Sequence, residues 1–490
     1  MHVPTKQGTK RRKKNKELIV AAALRAACMD NKKRLMHKKQ LFDASSFSKP
    51  TDPPHTDSRR GFLKNTLGGG LSLAGCLLLP AEDTIAHMTS QVNKHSYASQ
   101  LKITDLRYVT LMHLGRPITL IRLYTNQGIT GLGEVRDGGD KRYALILKSK
   151  LVGQNPSNLE KIFKSIKPFG GHGRNGGGVS GVEMALWDLA GKAYGVPCWK
   201  LLGGKYRDKV RLYADTHGDP DIELIKRKVK HRVQEEGFTW LKMTRLFNLG
   251  KGNTGAYLHA TSRQLTEQGI EGIVAYIDAI RSVVGNQIPI SVDHFGDSTV
   301  NNMARLGKAL AKYRLAWMEE PVKWQVPDQL KAVADAIDIP IATGENIYLK
   351  ETFMRLCDMQ AVDIVHPDLA TAGGIMETKK IGDYAQEKGV GMALHNAGTP
   401  VSVMANVHCA AATENCSVLE YHSEGEEIAE WMSIATPTGD KPFVSQGFAN
   451  VPEDAPGLGV ELNEAGIKKI LNPKDKSFFS PTPEWDNWNT

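Results

Sequence analysis

Three carboxylates, Asp293, Glu319 and Glu345, recur 26 residues apart, and Asp368, His395 and Glu420 follow after 23, 27 and 25. Each closes an apolar run: ISVD at 290–293, LAWME at 315–319, IPIATGE at 339–345, VDIVHPD at 362–368, VGMALH at 390–395 and SVLE at 417–420. The first three include no His or Cys, so they form a hard oxygen donor set. Such a set suits octahedral Mg2+, with water or substrate oxygens in the remaining positions, and disfavours zinc. Glu319 is assigned to the cation and Glu320 to a structural role, because adjacent strand residues face opposite ways. His395 and Asp368 would end neighbouring strands, where the carboxylate orients the imidazole and raises its basicity. Lys242, in Trp240-Leu241-Lys242-Met243-Thr244, could steady a substrate carboxylate or take a proton. Glu420, if protonated, could donate to an enediolate oxygen. One elementary step uses all of these parts: a divalent cation binds a substrate carboxylate, a base removes the α-proton, and cation and donors stabilise the enediolate.

The interval between these residues is that of one β-strand plus one helix. Strands ending near Asp215, Thr244, Asp293, Glu319, Glu345, Asp368, His395 and Glu420 predict an α/β TIM-like barrel, which gathers the C-terminal ends of its strands on one face. Its second unit is long, and Gly250, Gly252 and Gly255 mark a loop insertion over 247–270. Upstream, Thr119–Tyr124 and Ile129–Glu134 flank Asn126-Gln127-Gly128 and predict two strands around a turn. Helical patterns run to about residue 195, ending with Val182, Leu186, Leu189 and Ala193 on one face and Gly195 and Pro197 as the stop. These boundaries give an α+β domain at 101–205 and a barrel at 206–430. The turn-rich segment 431–490 is expected to pack back on the first domain. Gly171–Gly176 matches GxGxxG but does not follow a predicted strand in a βαβ unit, which excludes the dinucleotide reading and leaves a Gly-rich loop over the barrel mouth.

The 490 residues carry a net charge of +10, but residues 1–64 hold 17 Lys and Arg against 5 Asp and Glu, leaving 46 against 48 in the remainder. The folded part is close to neutral, which excludes nucleic acid as a partner. The leader (1–80) carries Ser58-Arg59-Arg60-Gly61-Phe62-Leu63-Lys64 and then a short apolar stretch to Pro80. This resembles a twin-arginine export signal and is too short and Gly-interrupted for a transmembrane span. It predicts a periplasmic protein, or a cytoplasmic one if the leader does not function. Leu73-Ala74-Gly75-Cys76 also fits a lipoprotein cleavage box, which would anchor the chain through Cys76. Residues 81–100 read as a polar linker. Cys198, Cys357, Cys409 and Cys416 form no metal-binding spacing and read as buried free thiols.

With these residues in view, the chain resembles the enolase superfamily, in its mandelate racemase and muconate lactonizing enzyme branch. The resemblance covers roughly residues 100–465. It rests on Gly131-Leu132-Gly133-Glu134, on Ser180–Lys192 (SGVEMALWDLAGK) with Leu201-Leu202-Gly203-Gly204, on Pro367-Asp368 with Gly373-Gly374, and on Pro456-Gly457-Leu458-Gly459. It implies a (β/α)7β barrel under an α+β N-terminal capping domain, Mg2+ on Asp293, Glu319 and Glu345, a His395–Asp368 acid/base dyad, and Glu420 beside the substrate carboxylate. Two departures matter. Racemases of the branch carry Lys-x-Lys on the second strand, whereas this chain has Lys242-Met243-Thr244, and Thr244 cannot act as a base at neutral pH. Galactonate-dehydratase-like members carry a second His two residues after the first metal ligand, whereas here His294 follows Asp293 directly. One dyad suffices for dehydration, so the expected reaction is loss of water from a sugar acid to a 2-keto-3-deoxy acid. His217, His294 and Arg174 are candidates to meet the substrate. An epimerase, racemase or cycloisomerase on a related acid and a non-catalytic sugar-acid-binding or sensing homologue stay open. A symmetric homo-oligomer is expected.

Overall fold

The computed structural model describes residues 98–113, 116–244, 264–293, 298–423 and 430–488. The leader with its twin-arginine pattern and Cys76, most of the linker, most of the 247–270 insertion and His294 lie outside the described residues. The end of that insertion is helical: Thr266 caps the helix Glu267–Val284 by accepting from the Gly269 amide.

Strands β1 (Ile103–His113), β2 (Arg116–Thr125) and β3 (Thr130–Val135) form an antiparallel sheet in that order. The helix Gly177–Tyr194 lies on it and ends at Gly195 in the left-handed conformation. Nearly every residue of this helix is buried. Its approach to β3 depends on glycine. A Cβ at Gly131 would stand 2.1 Å from the Ala185 carbonyl oxygen, and one at Gly133 would stand 1.9 Å from that of Gly181. Gly133→Ala is therefore expected to cost about 3 kcal/mol by overpacking, whereas Gly439→Ala, with open space around it, should change nothing. Urea-unfolding midpoints measure both, and equal midpoints would refute the packing argument.

Eight parallel strands follow: β4 (Lys209–His217), β5 (Leu241–Thr244), β6 (Ile290–Val292), β7 (Trp317–Glu319), β8 (Ile341–Thr343), β9 (Ile364–Val365), β10 (Gly391–Leu394) and β11 (Cys416–Tyr421). Each pairs with the next, and β11 pairs with β4 to close the barrel. A crossover helix stands between each successive pair, from Ile222–Gln234 to Pro400–Ala411, which makes the fold a (β/α)7β barrel. The segment after residue 430 returns to the first domain, where the Asn472 and Phe479 amides donate to the Thr110 and Tyr108 carbonyls of β1.

The motifs that carried the resemblance join the two domains. Glu134 accepts from the Thr399 and Ser402 amides and so caps the barrel helix Pro400–Ala411. Glu183 does the same for Ile375–Glu387 through the Ile375 and Met376 amides. Asp188 accepts from the amides of Leu132 in β3 and Leu458 in the C-terminal segment. Burial raises Glu134 and Glu183 to about 8 each, against those hydrogen bonds. Among the described residues no helix is long and apolar enough to cross a membrane. Cys198, Cys357, Cys409 and Cys416 are free and buried.

Candidate active site

Side chains on a strand alternate between faces, so residues two apart along a barrel strand share the interior. Tyr213, Trp317, Ala342, Ala393 and Val418 pack together as one interior layer. Two residues further on stand Asp215 on β4, Glu319 on β7, His395 just past β10 and Glu420 on β11, all almost fully buried. The interior layer is thus the floor of a polar pocket at the C-terminal end of the barrel. β8 departs from the pattern. Gly344 has φ +147, a conformation few other residues adopt, and the next side chain, Glu345, turns into the pocket.

Two charged groups occupy this mouth. In the first, the Lys242 ammonium lies 3.0 Å from Asp293, 3.1 Å from Glu319 and 2.8 Å from Glu420 Oε1. Burial opposes its charge, but these carboxylates hold its pKa well above the ordinary lysine value. In the second, His395 Nδ1 is 2.7 Å from Asp368 Oδ2 and Nε2 is 2.7 Å from Glu345 Oε2. Asp368 and His395 are bridged as neighbouring strand ends. Burial opposes the imidazolium, yet the charges of Glu420 and Glu345 raise His395 well above the usual histidine range. A carboxylate thus stands at each ring nitrogen.

Arg136, at the end of β3, reaches into the second group: Nη1 is 2.6 Å from Asp368 Oδ2 and 3.0 Å from Asp137. Its Nε and Nη2, like Asp368 Oδ1, are buried without a hydrogen-bond partner. Arg174, in the 3-10 turn Gly173–Gly176, pairs with Asp137 at 2.9 Å and Glu345 at 3.1 Å. Arg174, which the sequence offers as a candidate to meet the substrate, is here a charge partner of the site. His217 lies 3.1 Å from Asp215.

The residues expected to hold a cation pass a test of donor chemistry. Glu320 has φ +43, so the alternation that assigned it a structural role does not operate there. It is half-buried, and its Oε1 is buried without a hydrogen-bond partner. Burial, followed by the charges of Glu345, Asp293 and Glu319, pushes its pKa well up. Asp293, Glu319 and Glu345, with Glu320 next to Glu319 in the chain, offer oxygen donors alone, the donor chemistry of a hard divalent cation. Among the described residues, the set whose donor atoms lie within 4.8 Å of one another is Asp215, Glu420 and His422.

Glu420 accepts from Tyr213 Oη at 3.0 Å and from the Asn396 amide at 3.3 Å. Burial raises its pKa, but Lys242, His395 and His422 bring it below the usual value. Lys242, His395 and His422 thus surround the carboxylate that the sequence offers as a partner of the enediolate. Tyr213 Oη also meets His366 Nε2 at 2.8 Å, and His366 Nδ1 is 3.1 Å from Glu319. Sequence reasoning missed Arg136, Tyr213, His366 and His422. Two of these carried a signal: His366 lies two residues before Asp368 and His422 two after Glu420, the spacing that shares a strand face.

Comparison with known proteins agrees with this geometry. Residues 109–203 match the mandelate racemase / muconate lactonizing enzyme N-terminal domain, and residues 224–466 match the enolase C-terminal domain-like family. The chain is 33% identical over 389 residues to D-xylonate dehydratase of Haloferax volcanii, spanning 78% of this chain and 92% of that one. It is 30% identical over 400 residues to D-galactonate dehydratase of Ralstonia pickettii, spanning 79% and 97%. A mandelate racemase/muconate lactonizing enzyme-like protein from Rubrobacter xylanophilus has a similar structure, with a TM-score of 0.71 and 29% identity over 78% of this chain and 100% of that chain. With both domains matched in order and its barrel closed, the chain belongs to the enolase superfamily of enzymes, in the mandelate racemase and muconate lactonizing enzyme branch.

Proposed function

We propose that the protein is a hydro-lyase that removes water from C2 and C3 of a sugar acid, giving a 2-keto-3-deoxy acid, with Mg2+ as its cofactor. The observation that carries this reading is the His395–Asp368 pair, joined at 2.7 Å, across a carboxylate-rich mouth from Lys242. Asp293, Glu319 and Glu345, with Glu320 beside them, would hold the cation. Bound there, Mg2+ would supply positive charge to the substrate carboxylate and make the α-proton more acidic.

The chain's own groups divide the remaining work. Asp368 fixes the His395 ring through Nδ1 and leaves Nε2 as the atom that exchanges protons. His395 accepts a proton only once Nε2 is released from Glu345. Lys242 places an ammonium where negative charge grows on the substrate carboxylate. Thr244, buried at the end of β5, supplies no base on that strand, which favours elimination over two-base racemisation. The relatives named D-xylonate and D-galactonate dehydratase support the same choice of reaction. The Arg59-Arg60 pattern supports export to the periplasm.

The test is incubation of the full chain with Mg2+ and a panel of sugar acids, including D-xylonate and D-galactonate, in deuterated water. Keto-acid formation with loss of water is the expected result. Exchange of the C2 proton without keto acid would instead assign an epimerase, and neither signal from any acid would leave a binding protein.

A further inference from the structure

Glu420 lies between two imidazoles. His395 Nε2 is 3.5 Å from its Oε2, and His422 Nε2 is 3.7 Å from its Oε1. Each ring has its own aspartate: Asp368 for His395, and for His422 Asp215, whose Oδ2 is 3.3 Å from His422 Nδ1. The second arrangement follows from the closure of the barrel. β11 runs beside β4 with Glu420 opposite Tyr213 and Tyr421 opposite Ala214, so the next pair in register is His422 and Asp215. His217 shares the strand face of Asp215 and lies 3.1 Å from the same oxygen, Oδ2. Asp215 is 5% exposed, its Oδ1 is buried with no hydrogen-bond partner, and so is His422 Nε2. An imidazole nitrogen without a hydrogen-bond partner therefore stands beside Glu420 Oε1, the carboxylate oxygen opposite the one nearest His395.

We infer that His422, positioned by Asp215, is the general acid that protonates the departing C3 hydroxyl, an assignment that rests on the dehydratase reading above. The step balances with two histidines. His395 Nε2 takes the C2 proton and the C–H electron pair enters the enediolate. As the enediolate collapses, a C2–C3 double bond forms and the C3–O bond breaks. The leaving oxygen takes its proton from His422 Nε2 and departs as water, and the resulting enol tautomerises to the keto acid. His395 ends protonated and His422 neutral, and both reset by exchange with solvent. His422 is suited to this because its side chain is 30% exposed while Nε2 itself is buried.

The decisive experiment compares wild-type chain and His422→Asn, with Mg2+ in deuterated water, on D-xylonate, D-galactonate and their 3-deoxy-3-fluoro analogues. Water loss should fall by about 10²-fold or more, the scale of general acid catalysis, while C2 proton exchange keeps its wild-type rate. Fluoride leaves with less proton assistance, so its elimination should fall by no more than about tenfold. Retained exchange also reports a folded site. Asp215→Asn should show the same split in smaller measure, and it decides the matter if His422→Asn does not fold. Water loss at the wild-type rate in His422→Asn overturns the assignment, as does equal loss of exchange and dehydration. A transition metal retained by wild type and lost from His422→Asn would overturn it too. A wild-type chain that exchanges the C2 proton of these acids but dehydrates none removes the dehydratase reading instead, and the acid assignment with it.

Discussion

His395→Asn is expected to abolish both C2 proton exchange and water loss, lowering each by about 10⁴-fold, the upper range for removal of a positioned acid or base. The asparagine amide can still donate to Asp368, so the neighbouring Arg136 ion pair stays in place and the loss reports chemistry. Neither Lys242 nor Thr244 offers an equivalent route. Lys242 is held as an ammonium by Asp293, Glu319 and Glu420, and Thr244 cannot act as a base. The contrast with His422→Asn separates the two rings, since one variant should lose exchange and the other keep it. The measurement is proton exchange at C2 by NMR alongside keto-acid formation. Exchange persisting in His395→Asn would show that another residue takes the α-proton.

Arg136→Met is expected to be the most damaging substitution for stability, costing about 3–5 kcal/mol, the typical penalty for removing one partner of a buried ion pair. The guanidinium is 2% exposed, and removing it leaves Asp368 and Asp137 without the cation at 2.6 Å and 3.0 Å. Activity should fall as well, because Asp368 would be left with His395 as its sole close cationic partner. Arg136→Lys keeps the charge but replaces a planar fork with a point charge, so it should fall between the two. Urea-unfolding midpoints and kcat on the same preparations test this. A Met variant with wild-type values of both would show that the pair contributes nothing.

Much of the pocket was legible in the sequence. Strand-plus-helix repeats write themselves into the order of apolar runs, and an acidic or imidazole residue closing each run must arrive at one end of the barrel. That argument found Asp293, Glu319, Glu345, Asp368, His395 and Glu420 without any contact information. It failed where the backbone leaves regular geometry. Glu320 was set aside on alternation, which the positive φ of that residue does not obey. His294 lies outside the described residues, so its relation to Asp293 is unchanged from the sequence.

By itself the sequence determined the barrel, the capping domain and the residues at the strand ends, because periodicity and spacing are properties of neighbouring residues along the chain. Only the tertiary structure decided which of those residues touch. Arg136 meets Asp368 across 232 positions, and Asp215 meets His422 only because the eighth strand closes on the first. No local pattern encodes either encounter. They depend on the glycine contacts that bring β3 against its helix and on the register of barrel closure, both of which are set by packing.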